Sequence, residues 1–433
     1  MIKKSSTINF LLNQVKQIRN GDFNLFIGKI FSLLNLFYCL FVSIIFIPFF
    51  FFLIIISKKY LIRFGEVYTS RIGHFAANVE LYLLEKKEAI NTPQVKYIDF
   101  FIPERFICNK YLFKIWKKKI NFLPFFLGKP IIFFFKQFNF GKKFLINDTL
   151  QGDRDIKGLL EKYCSNFTMP KKDIENGFKE VERLGLTKNS RFVCLIVRDD
   201  AYLSTTLKKD WSYHNYRDCN IQNYHKLSEM FAKEKIYTVR MGKKVNEKFT
   251  NISNPYIIDY ANSEYKNDFL DIFLNAQCMF AISTGCGLDS VPAVLFRKKM
   301  LFLDIAPIGF IRSYSSKHII TLKNYYEKNT KKKLTLKQIF DRSLGYLTRT
   351  EDFQKNSIYL KESSPSELAM AAKEMLLYFN RASNDTNQDK MNQKLFWKNF
   401  KDTTNNEFRA LMHEKILCKI SSNYLKNNLD ILN

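Results

Sequence analysis

The feature that most restricts how this chain can fold is a regular alternation of short apolar runs and helical segments between residues 192 and 303. Each apolar run is continuous, as in strands that are buried on both faces of a sheet. Helical segments are predicted at residues 223–233 and 268–276. Strands that alternate with helices in this way predict a parallel, doubly wound α/β sheet. The predicted strands are residues 192–197, 236–239, 256–258, 278–282 and 300–303.

Polar residues follow four of these strands. In open parallel sheets, ligands bind beyond the carboxyl ends of the strands. Cationic strand ends could offset the charge of a diphosphate without a metal ion, and Asp259 or Tyr260 could contact a nucleoside. One Arg at a strand end is usually a salt bridge, but four polar ends on one edge favour an anion site. The residues concerned are Arg198, Asp199, Arg240, Gly242, Lys243, Asp259, Tyr260, Ser283, Thr284 and Gly285, with Arg217 in the loop before residues 223–233.

The turn Ser283-Thr284-Gly285 is the centre of this predicted site. It stands between the strand at residues 278–282 and a helix predicted at residues 288–295. Free backbone N–H groups and the positive end of the helix dipole could hold a phosphate there, and Gly285 lets the backbone approach it closely. The alternative is that the small residues only turn the strand into the helix.

A long apolar segment precedes these elements. Residues 30–57 carry no charged side chain and end against Lys58 and Lys59. The run exceeds the roughly 20 residues that a helix needs to cross the hydrocarbon core, so we expect it to contact membrane. A cleaved signal peptide is not expected, because the run starts late and lacks a small-residue cleavage site. Pro48 permits a kink, so a single span and a monotopic insertion both stay open.

The chain is strongly basic, with 68 Lys and Arg residues against 41 Asp and Glu residues and a net charge of +27. Much of the excess is Lys in a chain rich in Asn, Ile and Phe, which indicates compositional bias, so nucleic acid is not predicted as a partner. Residues 105–143 contain ten cations, no acidic residue and several aromatic runs. This mixture suits an interface with anionic membrane lipid. The alternative is the solvated basic face of an ordinary α/β lobe.

Neither metal nor cofactor is predicted. The eight cysteines are scattered and form no Cys-x-x-Cys pair, which indicates neither a zinc site nor a disulfide framework and suits a reducing cytoplasm. Asp153-Arg154-Asp155 matches an Asp-x-Asp pattern that binds a metal diphosphate in some enzymes. The match does not follow an apolar strand, and one so short is expected by chance.

A further polar group precedes the predicted sheet. Arg71-Ile72-Gly73-His74 opens a segment with helical spacing. A cation, an approachable backbone and an imidazole could meet there in one cleft, where His74 would be a general base or a sugar ligand. A histidine at a helix start with a satisfied ring nitrogen is the alternative.

Six short motifs follow one another between about residues 60 and 310, and together they resemble an uncharacterised family of bacterial glycosyltransferases associated with surface-polysaccharide gene clusters. Phe75 stands where Leu is common after Gly-His in this family, and Cys286 is an addition in the turn. The motifs are Arg71-Ile72-Gly73-His74, Val197-Arg198-Asp199, Tyr216-Arg217-Asp218, Val239-Arg240-Met241-Gly242, Ile258-Asp259-Tyr260-Ala261 and Ser283-Thr284-Gly285.

The resemblance implies a glycosyltransferase-B-like pair of Rossmann-like lobes, with the nucleotide-sugar donor bound mainly by the second and the acceptor by the first. It also implies metal-independent transfer. We expect a glycan or lipid-linked acceptor and, from the apolar segment and the scattered cysteines, a location at the bacterial inner membrane with the lobes on its cytoplasmic face. The resemblance supplies no catalytic residue. If the transfer inverts the anomeric centre, a base from the first lobe is needed, and His74 is the candidate; Arg71, Gly73 and Asn78 are predicted on the acceptor side. The predicted domains are a membrane-associated segment 1–59, an acceptor lobe 60–185, a nucleotide-sugar lobe 186–380, and a linker with a C-terminal helix 381–433.

Two other functions fit the same sequence. One is a nucleotide-sugar epimerase-type enzyme on the same fold; such enzymes are normally soluble, so the apolar segment argues against it. The other is a non-catalytic, membrane-bound protein of polysaccharide assembly.

Overall fold

The computed structural model describes residues 23–146, 154–206, 211–250, 253–382 and 385–432; residues 1–22 of the predicted membrane segment and Asp153 lie outside this range. The chain forms two compact units, each built from separate stretches of sequence. The first comprises Met1–Glu66, Asn91–Arg105 and Ile120–Asn147, and the second comprises Val67–Ile90, Phe106–Lys119 and Asp148–Asn433.

These units do not follow the predicted lobe boundary near residue 185. The stretch that carries Arg71 and His74, predicted for a separate acceptor lobe, belongs to the second unit. The physical reason is packing, because Ala77, Leu81 and Leu84 of this stretch are buried in the same core as the strands of the main sheet.

Twelve strands are described. They are β1 Tyr60–Val67, β2 Lys96–Pro103, β3 Asn121–Phe122, β4 Phe192–Ile196, β5 Tyr237–Arg240, β6 Ile257–Ile258, β7 Ala281–Ser283, β8 Met300–Ile305, β9 His318–Leu322, β10 Asn324–Glu327, β11 Ile358–Lys361 and β12 Lys419–Ile420.

Sixteen α-helices are described. They are α1 Phe23–Ile45, α2 Ile47–Ile56, α3 Ile72–Lys87, α4 Lys110–Trp116, α5 Phe125–Lys136, α6 Leu159–Lys162, α7 Lys171–Val181, α8 Ala201–Thr206, α9 His225–Lys233, α10 Asp268–Gln277, α11 Leu336–Asp341, α12 Thr350–Lys355, α13 Pro365–Phe379, α14 Asn387–Thr403, α15 Asn406–Met412 and α16 Ser422–Asn427.

The second unit is built on a seven-stranded parallel sheet of order β12-β9-β8-β7-β4-β5-β6. The chain starts in the middle at β4, adds β5 and β6 on one side, and then returns to add β7, β8, β9 and β12 on the other. This is the doubly wound strand order of a Rossmann-type sheet with one extra strand. The predicted α/β class and the parallel sheet are confirmed, and the reversal of direction lies between β4 and β7.

Both faces of this sheet are buried, which explains its continuous apolar strands. Cys194 and Ile196 of β4 point into a core that contains Phe273 of α10. Their neighbours Val193 and Leu195 point into a second core that contains Phe231 of α9. Successive side chains of β4 therefore pack into two apolar layers, instead of facing one apolar layer and the solvent in turn.

The C-terminal residues differ from the prediction. Residues 381–393 were expected to be a linker before one helix at residues 396–418. Instead α14 begins at Asn387, because Thr386 and Asp389 form a capping box. The Asn- and Asp-rich composition that suggests a linker is also typical of helix starts. The chain then breaks into α15 and returns as β12 at the edge of the main sheet.

The first unit contains α1, α2, α5 and a three-stranded sheet of order β1-β2-β3. Its core includes Phe50, Leu53, Phe64 and Phe135. Inside it, Arg63 and Asp99 form a buried ion pair at 2.8 Å. This sheet is smaller than the Rossmann-like sheet predicted for a first lobe, and the part of the chain that the structure describes shows one doubly wound sheet.

The predicted apolar segment is two helices. α1 ends at Ile45, and α2 starts at Ile47 with Pro48 in its first turn, where a missing N–H costs nothing. Within the described residues, Phe26–Ile45 is long and apolar enough to cross a membrane, by length and composition.

Candidate functional site

A cavity of about 270 Å³ opens at the carboxyl ends of β4, β5 and β7 in the second unit. It lies where the strand order reverses, which is the position at which open α/β sheets bind ligands. Its walls include the start of α3, the segment after β4 up to Leu203, residues 211–217, the loop after β5 and the turn after β7, together with Cys108, Asp271 and Arg312. All of them belong to the second unit.

The start of α3 reaches this cavity because Gly73 carries no side chain. A Cβ on Gly73 would lie 2.7 Å from the Cα of Gly287 and 2.9 Å from its carbonyl oxygen. This close approach of two backbones brings Arg71 and His74 to the cavity wall, beside Cys286 and Gly287 of the turn after β7. Asn78, one turn further along α3, is half-buried and is not among the residues that line the cavity.

The predicted phosphate turn has a different role. The amide of Thr284 donates to the carbonyl of Ile196 at 3.1 Å, and the amide of Gly285 donates to Ser283 Oγ at 3.0 Å. Ser283 Oγ in turn donates to Asp289 Oδ2 at 3.0 Å. The amides of Thr284 and Gly285 are therefore used inside the protein, and none of the three residues lines the cavity. The turn therefore supports the residues that line the cavity without lining it itself.

The segment after this turn also departs from the predicted helix at residues 288–295. It consists of a 3-10 turn at Gly287–Asp289 and a π turn at Val291–Leu295. Pro292 stands within it and cannot donate to a regular helical ladder. The helix dipole that the prediction invoked is correspondingly small.

Arg240, Asp259 and Tyr260 were predicted to contact the ligand, but none of them lines the cavity. Arg240 and Tyr260 are buried, and Asp259 is half-buried. Arg240 Nη1 donates to the Glu247 carbonyl at 2.6 Å and lies 3.5 Å from Asp259 Oδ2. Tyr260 is fully buried and donates to Asp271 Oδ1 at 2.9 Å. The contact of Arg240 holds the loop after β5, and that of Tyr260 ties the segment after β6 to α10.

Arg198 is the central cation of the cavity. Its backbone amide donates to Thr284 Oγ1 at 2.8 Å, which fixes the loop after β4 to the turn after β7. Its Nε lies 3.1 Å from Asp218 Oδ1. Among the described residues, Arg198 Nη2 is buried and has no hydrogen-bond partner. A buried donor without a partner is costly, and a ligand with acceptor oxygens would satisfy it.

Arg217 and Arg312 add positive charge beside Arg198. Arg217 donates to the carbonyl of Gly285. Burial, followed by the charges of Arg198 and Arg312, lowers the pKa of Arg217. Arg312 pairs with Asp289 at 2.9 Å, whereas no ion pair is recorded for Arg217 among the described residues. The charges of Arg198 and Arg312 thus oppose that of Arg217, and an anion would relieve this repulsion.

Trp211 and His214 form the aromatic wall of the cavity, and within the described part of the chain Trp211 Nε1 and His214 Nδ1 are buried without hydrogen-bond partners. Burial, Arg217 and Arg198 lower the pKa of His214 to about 4, so its ring is neutral near pH 7. A backbone hydrogen bond at Thr348 occupies the other ring nitrogen. If the ring donates that bond, Nδ1 is left as an acceptor that could receive a ligand hydroxyl.

The loop after β5 contributes Gly242 and Lys243 to the cavity. Lys243 already pairs with Asp268 and lies 3.8 Å from Asp271 Oδ2. Asp199 also lines the cavity, but its carboxylate accepts from the amides of Ala201 at 3.1 Å and Asn246 at 2.9 Å. Lys243 and Asp199 therefore hold loops at the rim, and the cationic character comes from the arginines.

The predicted site residues divide into two groups, and several cavity residues were not predicted. Trp211, His214 and Arg312 were missed; the aromatic run around Trp211 and the position of Arg312 beyond β8 were the available signals. Those that line the cavity are Arg71, Gly73, His74, Arg198, Asp199, Arg217, Gly242 and Lys243, and those that do not are Asn78, Arg240, Asp259, Tyr260, Ser283, Thr284 and Gly285.

A separate cluster could be considered for a metal ion. The ligand atoms of Cys219, Asp304 and Glu362 lie within 4.8 Å of one another, and none of these residues lines the cavity. Asp304 already accepts from Ser363, with 2.6 Å between Ser363 Oγ and Asp304 Oδ1. Burial raises the pKa of Cys219 to about 12, whereas a metal-bound thiol must be deprotonated. The cluster therefore fits a metal ion poorly.

A doubly wound parallel sheet with an arginine-rich cavity at its switch point defines the class: an α/β protein with a Rossmann-type ligand cavity. No family model matches the chain, and no curated protein matches it. A solved structure, the glycosyl transferase family 9 protein from Veillonella parvula DSM 2008, is similar at a TM-score of 0.42 and 10% identity, over 73% of this chain and 97% of that chain. A TM-score of this size carries no conclusion about fold or activity.

Proposed function

We propose that the second unit binds a nucleotide-sugar at this cavity and transfers the sugar to a glycan or lipid-linked acceptor, without a metal ion. The observation that carries the proposal is the set of unsatisfied buried nitrogens, Arg198 Nη2, Trp211 Nε1 and His214 Nδ1, at the switch point of the sheet. Two are donors that suit phosphate oxygens, and His214 Nδ1, when the proton is on the other ring nitrogen, is an acceptor that suits a sugar or ribose hydroxyl. A nucleotide-sugar offers both kinds of group.

The reaction would be a displacement at the anomeric carbon of the donor. Negative charge grows on the leaving diphosphate as the sugar bond breaks, and fixed cations stabilise that charge most in a site shielded from water. Arg198, Arg217 and Arg312 are placed for this role, in contrast to Arg240, which holds the loop after β5. The motifs that resemble surface-polysaccharide glycosyltransferases agree with this chemistry.

The acceptor hydroxyl needs a base if the transfer inverts the anomeric centre. His214 is a weak one, because a pKa of about 4 lies far from the working pH. His74, which lines the cavity at the start of α3, is the candidate base. A pH–rate profile that His74→Ala leaves unchanged would exclude this assignment.

The donor site is tested by titrating a panel of nucleoside diphosphates into the full chain in detergent. We expect Arg198→Gln to weaken binding roughly 10- to 100-fold, since hydrogen bonds to charged groups contribute about 1.5–3 kcal/mol. Trp211→Phe, which removes the indole N–H with part of the ring but keeps an aromatic side chain, should weaken binding by less. Arg342→Gln is the matched control, because Arg342 pairs with Glu327 on the surface at 2.7 Å.

The same experiment separates the alternatives. Equal affinities for Arg198→Gln and Arg342→Gln, with both variants folded, would remove Arg198 from the site. Nucleotide binding with sugar release only when acceptor is added supports transfer, whereas sugar conversion without acceptor would support an epimerase-type enzyme. A chain that binds no nucleoside diphosphate would instead be a non-catalytic assembly protein.

A further inference from the structure

The outer surface of α1 shows what surrounds the first unit. Phe31, Phe37 and Phe41 are 61%, 60% and 66% exposed, and apolar side chains cover most of the circumference of the helix. A helix that is hydrophobic on nearly all sides is stable only in apolar surroundings. Lipid hydrocarbon provides such surroundings, so the remaining question is how the helix lies in it.

One narrow stripe of α1 packs on α5. Tyr38 donates its hydroxyl hydrogen to the Phe126 carbonyl at 2.9 Å, and Ser43 Oγ donates to the Pro130 carbonyl at 3.3 Å. Cys39 between them is buried. The second half of α1 is therefore held along a folded body that includes an open three-stranded sheet. Open sheet edges are not stable in the hydrocarbon core.

A charged group marks the midpoint of the apolar helix. Asn35 lies at the middle of Phe26–Ile45, and its Oδ1 accepts from Arg105 Nη2 at 3.4 Å. If α1 crossed the bilayer upright, this guanidinium would lie near the bilayer centre, where a charged side chain is strongly unfavourable. A helix lying flat beneath the headgroups places the same Arg at the polar interface.

The body itself presents apolar side chains next to both helices. Phe126 is 59% exposed, and its ring lies 6.5 Å from that of Tyr38 on α1. Beyond the other end of α5, Phe138 and Phe140 are 43% and 46% exposed and stack at 5.1 Å. Phe134 joins them to α2, since its ring lies 5.1 Å from Phe138 and 3.8 Å from Phe50.

Cations border this apolar surface. Lys143 Nζ donates to Ser57 Oγ at 2.9 Å, which brings residues 142–143 beside the end of α2. Lys58, Lys59 and Lys142 are exposed in the same region. Basic side chains with exposed aromatic rings suit a leaflet with anionic headgroups.

We propose that the first unit is a monotopic platform on an anionic membrane: α1 and α2 lie flat within one leaflet, and Phe126, Phe138 and Phe140 enter the same leaflet. The bound partner is the lipid bilayer itself, and both ends of the chain stay on one side of it. This proposal does not depend on the reaction at the cavity, so a result that contradicts it would not affect the proposed donor site.

Topology provides the first test. The full chain, with a different cleavable tag at each end, is expressed in bacteria, and sealed inside-out membrane vesicles are treated with protease. We expect both tags to be cleaved to the same extent without detergent. An N-terminal tag that is protected until detergent is added would show a single span and overturn the proposal.

Depth provides the second test. The Phe140→Trp variant is reconstituted in phosphatidylcholine vesicles with and without phosphatidylglycerol. Quenching of its tryptophan fluorescence by brominated lipids is measured, and the quenching seen with the unchanged chain is subtracted. We expect strong quenching for Phe140→Trp and little for Lys96→Trp, whose side chain lies at the exposed start of β2. Equal quenching at both positions would contradict the proposal. A chain that leaves the vesicles and elutes as a dimer would also contradict it, because the apolar face would then bind a second copy of the chain.

Discussion

At the scale of single residues, the ion pair of Arg198 and Asp218 controls the charge of the cavity. Burial raises the pKa of Asp218 to about 6, although Arg198 opposes the shift. Above that pH the carboxylate offsets part of the charge of Arg198, and below it the carboxyl group is neutral. We therefore expect the affinity for a nucleoside diphosphate, expressed relative to that of Asp218→Asn, to rise several-fold as the pH falls from about 7.5 to about 5.5.

Asp218→Asn provides the comparison for this pH effect. The phosphate of the ligand titrates in the same range, but it does so equally with either protein. The difference between the two pH curves therefore reports Asp218 alone. Calorimetric titrations that give parallel curves for Asp218→Asn and the unchanged chain would show that Asp218 does not titrate at the site.

At the scale of elements, the contact between α3 and the turn after β7 builds the cavity wall. A Cβ on Gly73 would meet backbone atoms of Gly287, which cannot rotate away. We expect Gly73→Ala to cost about 1–3 kcal/mol of unfolding free energy, as overpacking usually does, and to weaken donor binding by separating α3 from the turn.

Gly242→Ala is the matched control for that change. Its Cβ would lie 2.8 Å from Val245 Cγ1, the end of a side chain that can rotate. Denaturant unfolding should show a much smaller loss of unfolding free energy for Gly242→Ala than for Gly73→Ala. If the two variants lost equal stability, the close approach of Gly73 and Gly287 would not be a limiting contact.

The strands show how much of the site could be predicted. Continuous apolar runs located the parallel sheet, and the rule about carboxyl ends located the correct edge. The rule did not separate residues within a strand from residues beyond it. Arg240 is the last residue of β5 and Ser283 the last of β7, so both are tied into the sheet and its loops. Arg198 lies two residues beyond β4, in a loop free to face the cavity.

At the scale of the whole molecule, long-range packing decides what a local pattern cannot. α3 precedes the sheet by more than a hundred residues of sequence, yet it completes the cavity, and β12 closes the far edge of the sheet from near the C-terminus. No local pattern in α3 distinguishes a helix of a separate lobe from a helix of this unit. The backbone contact between Gly73 and Gly287 makes that distinction, and it exists only in the folded chain.

The predicted independence of sugar transfer from metal ions also depends on the whole molecule. Arg198, Arg217 and Arg312 come from three separate loops and supply positive charge where the leaving diphosphate would lie, a task that a divalent cation performs in many transferases. We expect sugar transfer by the full chain in membranes to change less than about two-fold on addition of EDTA, while Arg217→Gln should lower the rate by about 10²-fold or more. A rate that EDTA abolishes and Mg²⁺ or Mn²⁺ restores would show that the arginines are insufficient.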